Sequence, residues 1–156
     1  DLGKGTTPEA EWPKHIEHEA RGAKIVLDVC KRLRIPNEYR DLAERTARFH
    51  LHYHRALELK PSTVLKTLEQ IDAFRRPERF EKFLLASEAD ARGRPGFEDK
   101  EYKQGDYFRA ALKAANDVDV GALLEAGFRH KALADKISEE RTRLIAIVAK
   151  NQGNAD

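Results

Sequence analysis

Apolar residues recur at steps of three and four along most of the chain, the spacing that puts them on one face of an α-helix. This recurrence predicts helices over about residues 15–33, 36–53, 106–115 and 131–150, others beginning at 61 and 77, and a short one over 120–126. No stretch alternates between apolar and polar residues as a half-buried strand does. The pattern therefore predicts an all-α protein.

Prolines and a glycine-rich loop mark the boundaries of the predicted helices. Pro36, Pro61 and Pro77 each stand at or near a first turn, where the missing N–H removes no helical hydrogen bond. Residues 93–99 contain two glycines and a proline and are typical of a loop. We expect a helical domain over residues 1–100, a helical extension over 101–150 and a frayed tail over 151–156.

Composition narrows the class of protein. Charged residues make up 36% of the chain and hydrophobic residues 40%, which is typical of a folded soluble domain and excludes a disordered chain. The longest apolar run, residues 144–149, is too short to span a bilayer. The single cysteine, Cys30, excludes an internal disulfide framework and favours a reducing, cytoplasmic setting. Its place on an apolar helical face predicts a buried thiol.

The net charge of +2 is no signature of nucleic-acid binding, but the basic residues are clustered. They gather at residues 31–34, 75–79 and 92–94, and along the last helix. Such clusters are most often solvated helix faces. The alternative is a surface that contacts phosphates, and charge alone leaves both interpretations open.

Four polar residues fall on helix faces that the pattern predicts to be buried: His15, His18, His50 and Asp90. His54 follows one turn after His50. A buried carboxylate is costly unless it is paired or binds a metal, and imidazole with carboxylate suits a divalent ion that activates water. The alternative is a set of core histidines that form hydrogen bonds and an aspartate that forms a salt bridge. Spacing does not separate the two hypotheses.

The start of the chain carries a further signal. Asp1-Leu2-Gly3-Lys4-Gly5 matches the second half of the metal-site signature His-Asp-x-Gly-Lys. The chain begins with Asp and contains no methionine. We therefore expect a piece of a longer polypeptide, cut within that signature.

Four stretches, in this order, resemble the HD superfamily of metal-dependent phosphohydrolases and, more narrowly, the C-terminal HD-domain region of bacterial multifunctional CCA proteins, which are CCA-adding tRNA nucleotidyltransferases. They are residues 1–5 with the Trp-Pro-Lys-His of 12–15, then 32–38, 72–79 and 87–98. The last, with Ala89-Asp90-Ala91, is the most specific. The resemblance covers roughly residues 1–148. It implies an HD-domain-like bundle of about six to seven helices, followed by the C-terminal helical extension.

The resemblance also implies the residues of a site. Carried over by position, the ligands of a divalent metal (Mg, Mn or Ni) are Asp1, His18, His50 and Asp90. Asp1 and Lys4 are implied to be catalytic, with Lys4 beside a substrate phosphate, and the candidates for substrate or RNA contact are His15, Arg92 and Arg94. The implied reaction is hydrolysis of 2′,3′-cyclic nucleotides, 2′-nucleotides and simple phosphomonoesters by metal-activated water.

For the whole protein, the resemblance implies addition of C, C and A to tRNA from CTP and ATP, in an N-terminal head domain that nothing in this chain matches. The helical region is implied to hold the tRNA body. Two histidine ligands of an intact HD site would precede residue 1, so we expect this chain alone to bind metal poorly and to hydrolyse little. The alternative function is a non-catalytic helical tRNA-binding module in which the HD residues are structural only.

Overall fold

The computed structural model describes residues 2–153, and no strand occurs within that range. The described residues form seven α-helices: α1 (His18–Arg32), α2 (Asn37–His54), α3 (Pro61–Gln70), α4 (Pro77–Arg92), α5 (Gln104–Asn116), α6 (Val120–Glu125) and α7 (His130–Gly153). Short 3-10 helices cover Lys4–Thr6, Glu9–Glu11 and Ala56–Glu58. The predicted all-α fold is confirmed. None of the helices in the described range combines the length and the hydrophobicity that a bilayer-spanning segment requires.

The described residues pack as two compact units. The first comprises residues 2–54 and 78–100, and the second comprises residues 55–77 and 101–153. The division expected from the sequence, at residue 100, remains a prediction about domains. In the packing, residues 55–77 belong with the C-terminal residues and not with the first unit.

The first unit is built on the packing of α1 against α2, with α4 beside them. Phe80, Phe83 and Leu84 of α4 are 1–2% exposed, as their spacing predicts. The ring of Tyr53, from α2, meets that of Phe83 edge-on at 5.9 Å between centroids. Leu33 continues the apolar spacing of α1 but is 59% exposed, because the helix ends at Arg32 and Leu33 lies in the turn beyond it.

The second unit packs α3 against α5 and α7. The residues that follow the three- and four-residue spacing along α3 and at its C-cap are all buried: Val64, Leu65, Leu68 and Ile71. On α7, Ile145 is fully buried. The guanidinium of Arg141, one turn earlier, lies 4.2 Å from the centre of the Phe74 ring and donates a hydrogen bond of 3.2 Å to the carbonyl of Ala115. Apolar packing and the cation–π contact of Arg141 therefore stabilise the packing of α7 in the second unit.

Candidate metal centre

Histidines and an aspartate from three helices of the first unit converge on one place. The ring centroids of His18, on α1, and His50, on α2, are 5.5 Å apart. His54, one turn after His50, has its ring 5.6 Å from that of His50. Its Nε2 lies 3.0 Å from Oδ2 of Asp90, on α4. One potential ligand atom from each of His50, His54 and Asp90 lies within 4.8 Å of the others. The structure thus brings the predicted His50 and Asp90 together with His54, and it places the predicted His18 beside His50.

Small residues open a cavity beside these side chains. Its volume is about 230 Å³, and it is lined by Leu2, Gly22, Val26, Ala43, Thr46, Ala47, His50 and Asp90. Ala43, Thr46 and Ala47 precede His50 on the same face of α2, as their spacing predicts. A short side chain at each of these positions leaves room in front of the His50 ring for an ion or a small anion.

Backbone carbonyls fix the orientation of two imidazoles. Nδ1 of His18 lies 2.8 Å from the carbonyl oxygen of His15, and Nδ1 of His50 lies 2.9 Å from that of Ala47. A carbonyl oxygen can only accept, so in both rings Nδ1 carries the proton and donates it. In the neutral form of each ring the lone pair is then on Nε2. This arrangement is the usual one for a metal-binding histidine, whose other nitrogen is held by a carbonyl or a carboxylate.

The electrostatics of the cluster favour neutral imidazoles beside an ionised carboxylate. Burial lowers the pKa of His50 and of His54 below its ordinary value, against the opposing effect of Asp90. Burial acts to raise the pKa of Asp90, but the hydrogen bond from His54 and the nearby His50 and Arg94 outweigh it, so this pKa lies below its ordinary value. At neutral pH the site therefore offers nitrogen lone pairs and one negative oxygen donor.

His15 precedes α1 and does not lie on its face. The prediction that the helix begins at His15 is wrong, because α1 begins at His18 and His15 has a left-handed backbone with a φ of 48°. Its ring Nδ1 is 2.6 Å from Oγ1 of Thr7. His15 thus holds the ring of His18 through its own carbonyl.

The predicted arginines have different places. Arg94 follows Asp90 by four residues, and its guanidinium nitrogen is 3.6 Å from Oδ2 of Asp90, at the edge of the cluster. Arg92 donates instead to a carboxylate oxygen of Glu88 at 2.8 Å and to the carbonyl of Glu98 at 2.7 Å. Arg92 therefore ties the loop after α4 back to the helix.

The segment that carries Lys4 packs directly on α1. Gly3 is buried, and a Cβ built on it would lie 2.7 Å from the carbonyl carbon of His18 and 2.8 Å from the backbone nitrogen of Gly22, and closer still to the carbonyl oxygen of His18. Only a glycine fits there. Lys4 begins the 3-10 helix that follows. Asp1, the remaining predicted ligand, lies outside the described residues.

The roles of two further residues of the site are not predicted from the sequence. His54 was placed one turn after His50 but was assigned no part, because its partner Asp90 is 36 residues away. Gly3 was seen only as part of a motif. The four-residue step from His50 to His54, about one helical turn, is the sequence signal that could identify His54. The close approach of Gly3 to α1 has no counterpart in the spacing of apolar residues.

Known proteins similar to this chain are multifunctional CCA proteins. The one from Pseudomonas savastanoi pv. phaseolicola is 52% identical over 147 residues, which are 94% of this chain and 36% of that protein. Those from Thioalkalivibrio sulfidiphilus and Alcanivorax borkumensis are 53% and 49% identical, over 93% and 99% of this chain. The chain spans about a third of the length of these relatives. No family model and no solved structure matches it. The resemblance found from the sequence is confirmed.

Proposed function

We propose, from this similarity to about a third of the multifunctional CCA proteins, that the chain is part of a CCA-adding tRNA nucleotidyltransferase and carries an HD-type metal-dependent phosphohydrolase site. The proposed substrates are 2′,3′-cyclic nucleotides, 2′-nucleotides and simple phosphomonoesters. One observation carries the proposal. His50, held at Nδ1 by a carbonyl, and the carboxylate of Asp90 line a cavity, and the ring of His18, also held at Nδ1 by a carbonyl, lies 5.5 Å from the ring of His50.

The donor set fits a divalent metal ion. Imidazole nitrogens suit Ni²⁺, and a carboxylate oxygen suits Mg²⁺ and Mn²⁺. The residues that would hold the ion are His18, His50 and Asp90, with Asp1 completing the set that the resemblance implies. An ion held by these residues would supply the activation of a water molecule for attack on phosphorus.

The other residues of the site then have separate tasks. Asp90 contributes the negative charge that balances the ion. Arg94, 3.6 Å from Asp90, and Lys4 supply positive charge for a substrate phosphate. The cavity beside His50 receives the phosphate. In the whole protein, CTP and ATP are proposed to bind in another domain, and the proposed setting is the cytoplasm.

A second candidate function is a non-catalytic module that holds tRNA. The observation that favours it is the run of exposed basic residues at the end of α1, where Lys31, Arg32 and Arg34 all face solvent. Consecutive exposed cations that leave a helix end are suited to contact successive phosphates. In this alternative the cluster of histidines only fastens α1, α2 and α4 together.

Metal titration and turnover test the first proposal. The purified chain is titrated with Mn²⁺ and Ni²⁺ by calorimetry and assayed on 2′,3′-cyclic AMP. We expect Asp90→Asn, which keeps the shape and removes the charge, to weaken metal binding at least tenfold and to abolish any turnover that the chain has. Asp28→Asn, on the exposed side of α1, is the matched control and leaves both unchanged. Metal affinity that Asp90→Asn does not alter would refute the metal site.

Measuring tRNA binding over a series of salt concentrations tests the second candidate function, the tRNA-holding module. Phosphate contacts release counterions, so the logarithm of the tRNA association constant falls linearly with the logarithm of salt concentration. We expect Arg34→Gln to reduce the magnitude of that slope by about one, which is the contribution of a single phosphate contact. Arg48→Gln, on α2, is the control and should leave the slope unchanged. Binding that is absent or insensitive to salt excludes the tRNA-holding role of this surface.

A further inference from the structure

The ring of one histidine in the cluster, His54, reaches a carboxylate. His18 and His50 are held at Nδ1 by backbone carbonyls, whereas His54 directs Nε2 at a side chain, with 3.0 Å to Oδ2 of Asp90. The side chain of His54 is 14% exposed and that of Asp90 is 33% exposed, so this contact is partly shielded from water. A hydrogen bond to a carboxylate in such a setting is among the stronger ones in proteins.

The contact falls on one oxygen of the carboxylate. Arg94 approaches the same Oδ2, at 3.6 Å, and it lies toward the loop after α4. Arg94 is 49% exposed and lies two residues beyond the end of α4. The contacts of His54 and Arg94 with the same oxygen restrain the rotation of the carboxylate group.

We infer that His54 is a positioning residue, whose Nε2–H donates to Oδ2 of Asp90 and presents Oδ1 to the ion, and that it is not itself a ligand. The inference rests on the proposed metal site. An Nε2 that donates its proton to Asp90 has no lone pair to give to a metal. Carboxylates that bind a metal are commonly held in this way by a hydrogen bond, and loss of such a partner typically weakens metal binding by about 10- to 100-fold.

The first test needs no metal. Long-range ¹H–¹⁵N correlation spectra of the metal-free full chain, at a pH where histidines are neutral, report which ring nitrogen carries the proton. We expect His54 to be protonated on Nε2 and His50 on Nδ1. A His54 ring protonated on Nδ1 would overturn the inference. This result does not depend on metal binding, so it still decides the role of His54 if the chain binds no metal and the proposed function fails.

The second test uses Mn²⁺ and three variants. We expect His54→Ala to raise the Kd for Mn²⁺ by about 10- to 100-fold, and His54→Gln, whose amide N–H can still reach Asp90, to recover most of that loss. His52→Ala, on the same helix two residues away, leaves the Kd unchanged. Equal losses for His54→Ala and His54→Gln, as large as that of Asp90→Asn, would make His54 a ligand and overturn the inference. An unchanged Kd in His54→Ala would overturn it as well.

Discussion

Replacing Gly3 by Ala inserts a methyl group where α1 leaves no room. The new Cβ would lie 2.7 Å from the carbonyl carbon of His18 and 2.8 Å from the nitrogen of Gly22, and both are backbone atoms of a helix that cannot rotate away. Overpacking of this kind typically costs about 1–3 kcal/mol, and a rigid neighbour favours the upper end. We therefore expect Gly3→Ala to lower the free energy of unfolding by about 3 kcal/mol, unless the segment that holds Lys4–Thr6 detaches from α1 and relieves the overlap.

Gly5→Ala is the matched control, because a Cβ at Gly5 meets nothing within 4 Å. It restricts the unfolded chain, so it should stabilise the protein by about 0.5 kcal/mol. Urea unfolding followed by circular dichroism measures both free energies. Fluorescence of Trp12, the chain's one tryptophan, whose Nε1–H donates to the carbonyl of Thr7, reports on the segment itself. Gly3→Ala that matches Gly5→Ala in stability and in fluorescence would refute the packing described for Gly3.

Three further predictions follow from the described contacts. Burial lowers the pKa of His50 and of His54 from 6.5, so these residues take up protons at a higher pH in the unfolded chain than in the folded one. The unfolding free energy should therefore fall as the pH falls from 6.5 through the lowered pKa values. Urea unfolding that shows no such fall across this pH range would contradict the prediction. Arg92→Ala should free the loop 93–99 and raise its amide hydrogen exchange, with unchanged exchange as the contrary result. Ser87 is fully buried, and its hydroxyl has no hydrogen-bond partner among the described residues. Ser87→Ala should therefore leave the unfolding free energy unchanged or raise it by about 1 kcal/mol. A decrease of that size would show that the hydroxyl forms a hydrogen bond.

The helices could be predicted because burial imposes a period on the chain. Leu68 of α3 and Phe83 of α4 each lie where the spacing of their neighbours places them. The two errors fall at the ends of α1. His15 and Leu33 continue the spacing, but the backbone has left the helix at both, with positive φ at His15 and at Arg34. The spacing of apolar residues can continue past the end of a helix, so it does not reveal where the backbone conformation changes.

The candidate site could be predicted only in part, for a related reason. His50 and Asp90 were found because each extends the buried stripe of its own helix. The hydrogen bond between His54 and Asp90 joins helices that are not adjacent in sequence, so periodicity within one helix does not reveal it. The ligand set came from the resemblance, and its member Asp1 lies outside the described residues. Lys4 and its phosphate remain a prediction.

The central claim is that His18, His50 and Asp90 hold a divalent ion. Crystals of the chain soaked in Co²⁺ and measured at the cobalt edge test it directly, because anomalous scattering locates the ion and its ligands without reference to activity. We predict one peak within coordination distance of Nε2 of His18, Nε2 of His50 and a carboxylate oxygen of Asp90, with His54 on the far side of that carboxylate. Cobalt bound elsewhere, with no peak between these three side chains, would contradict the account.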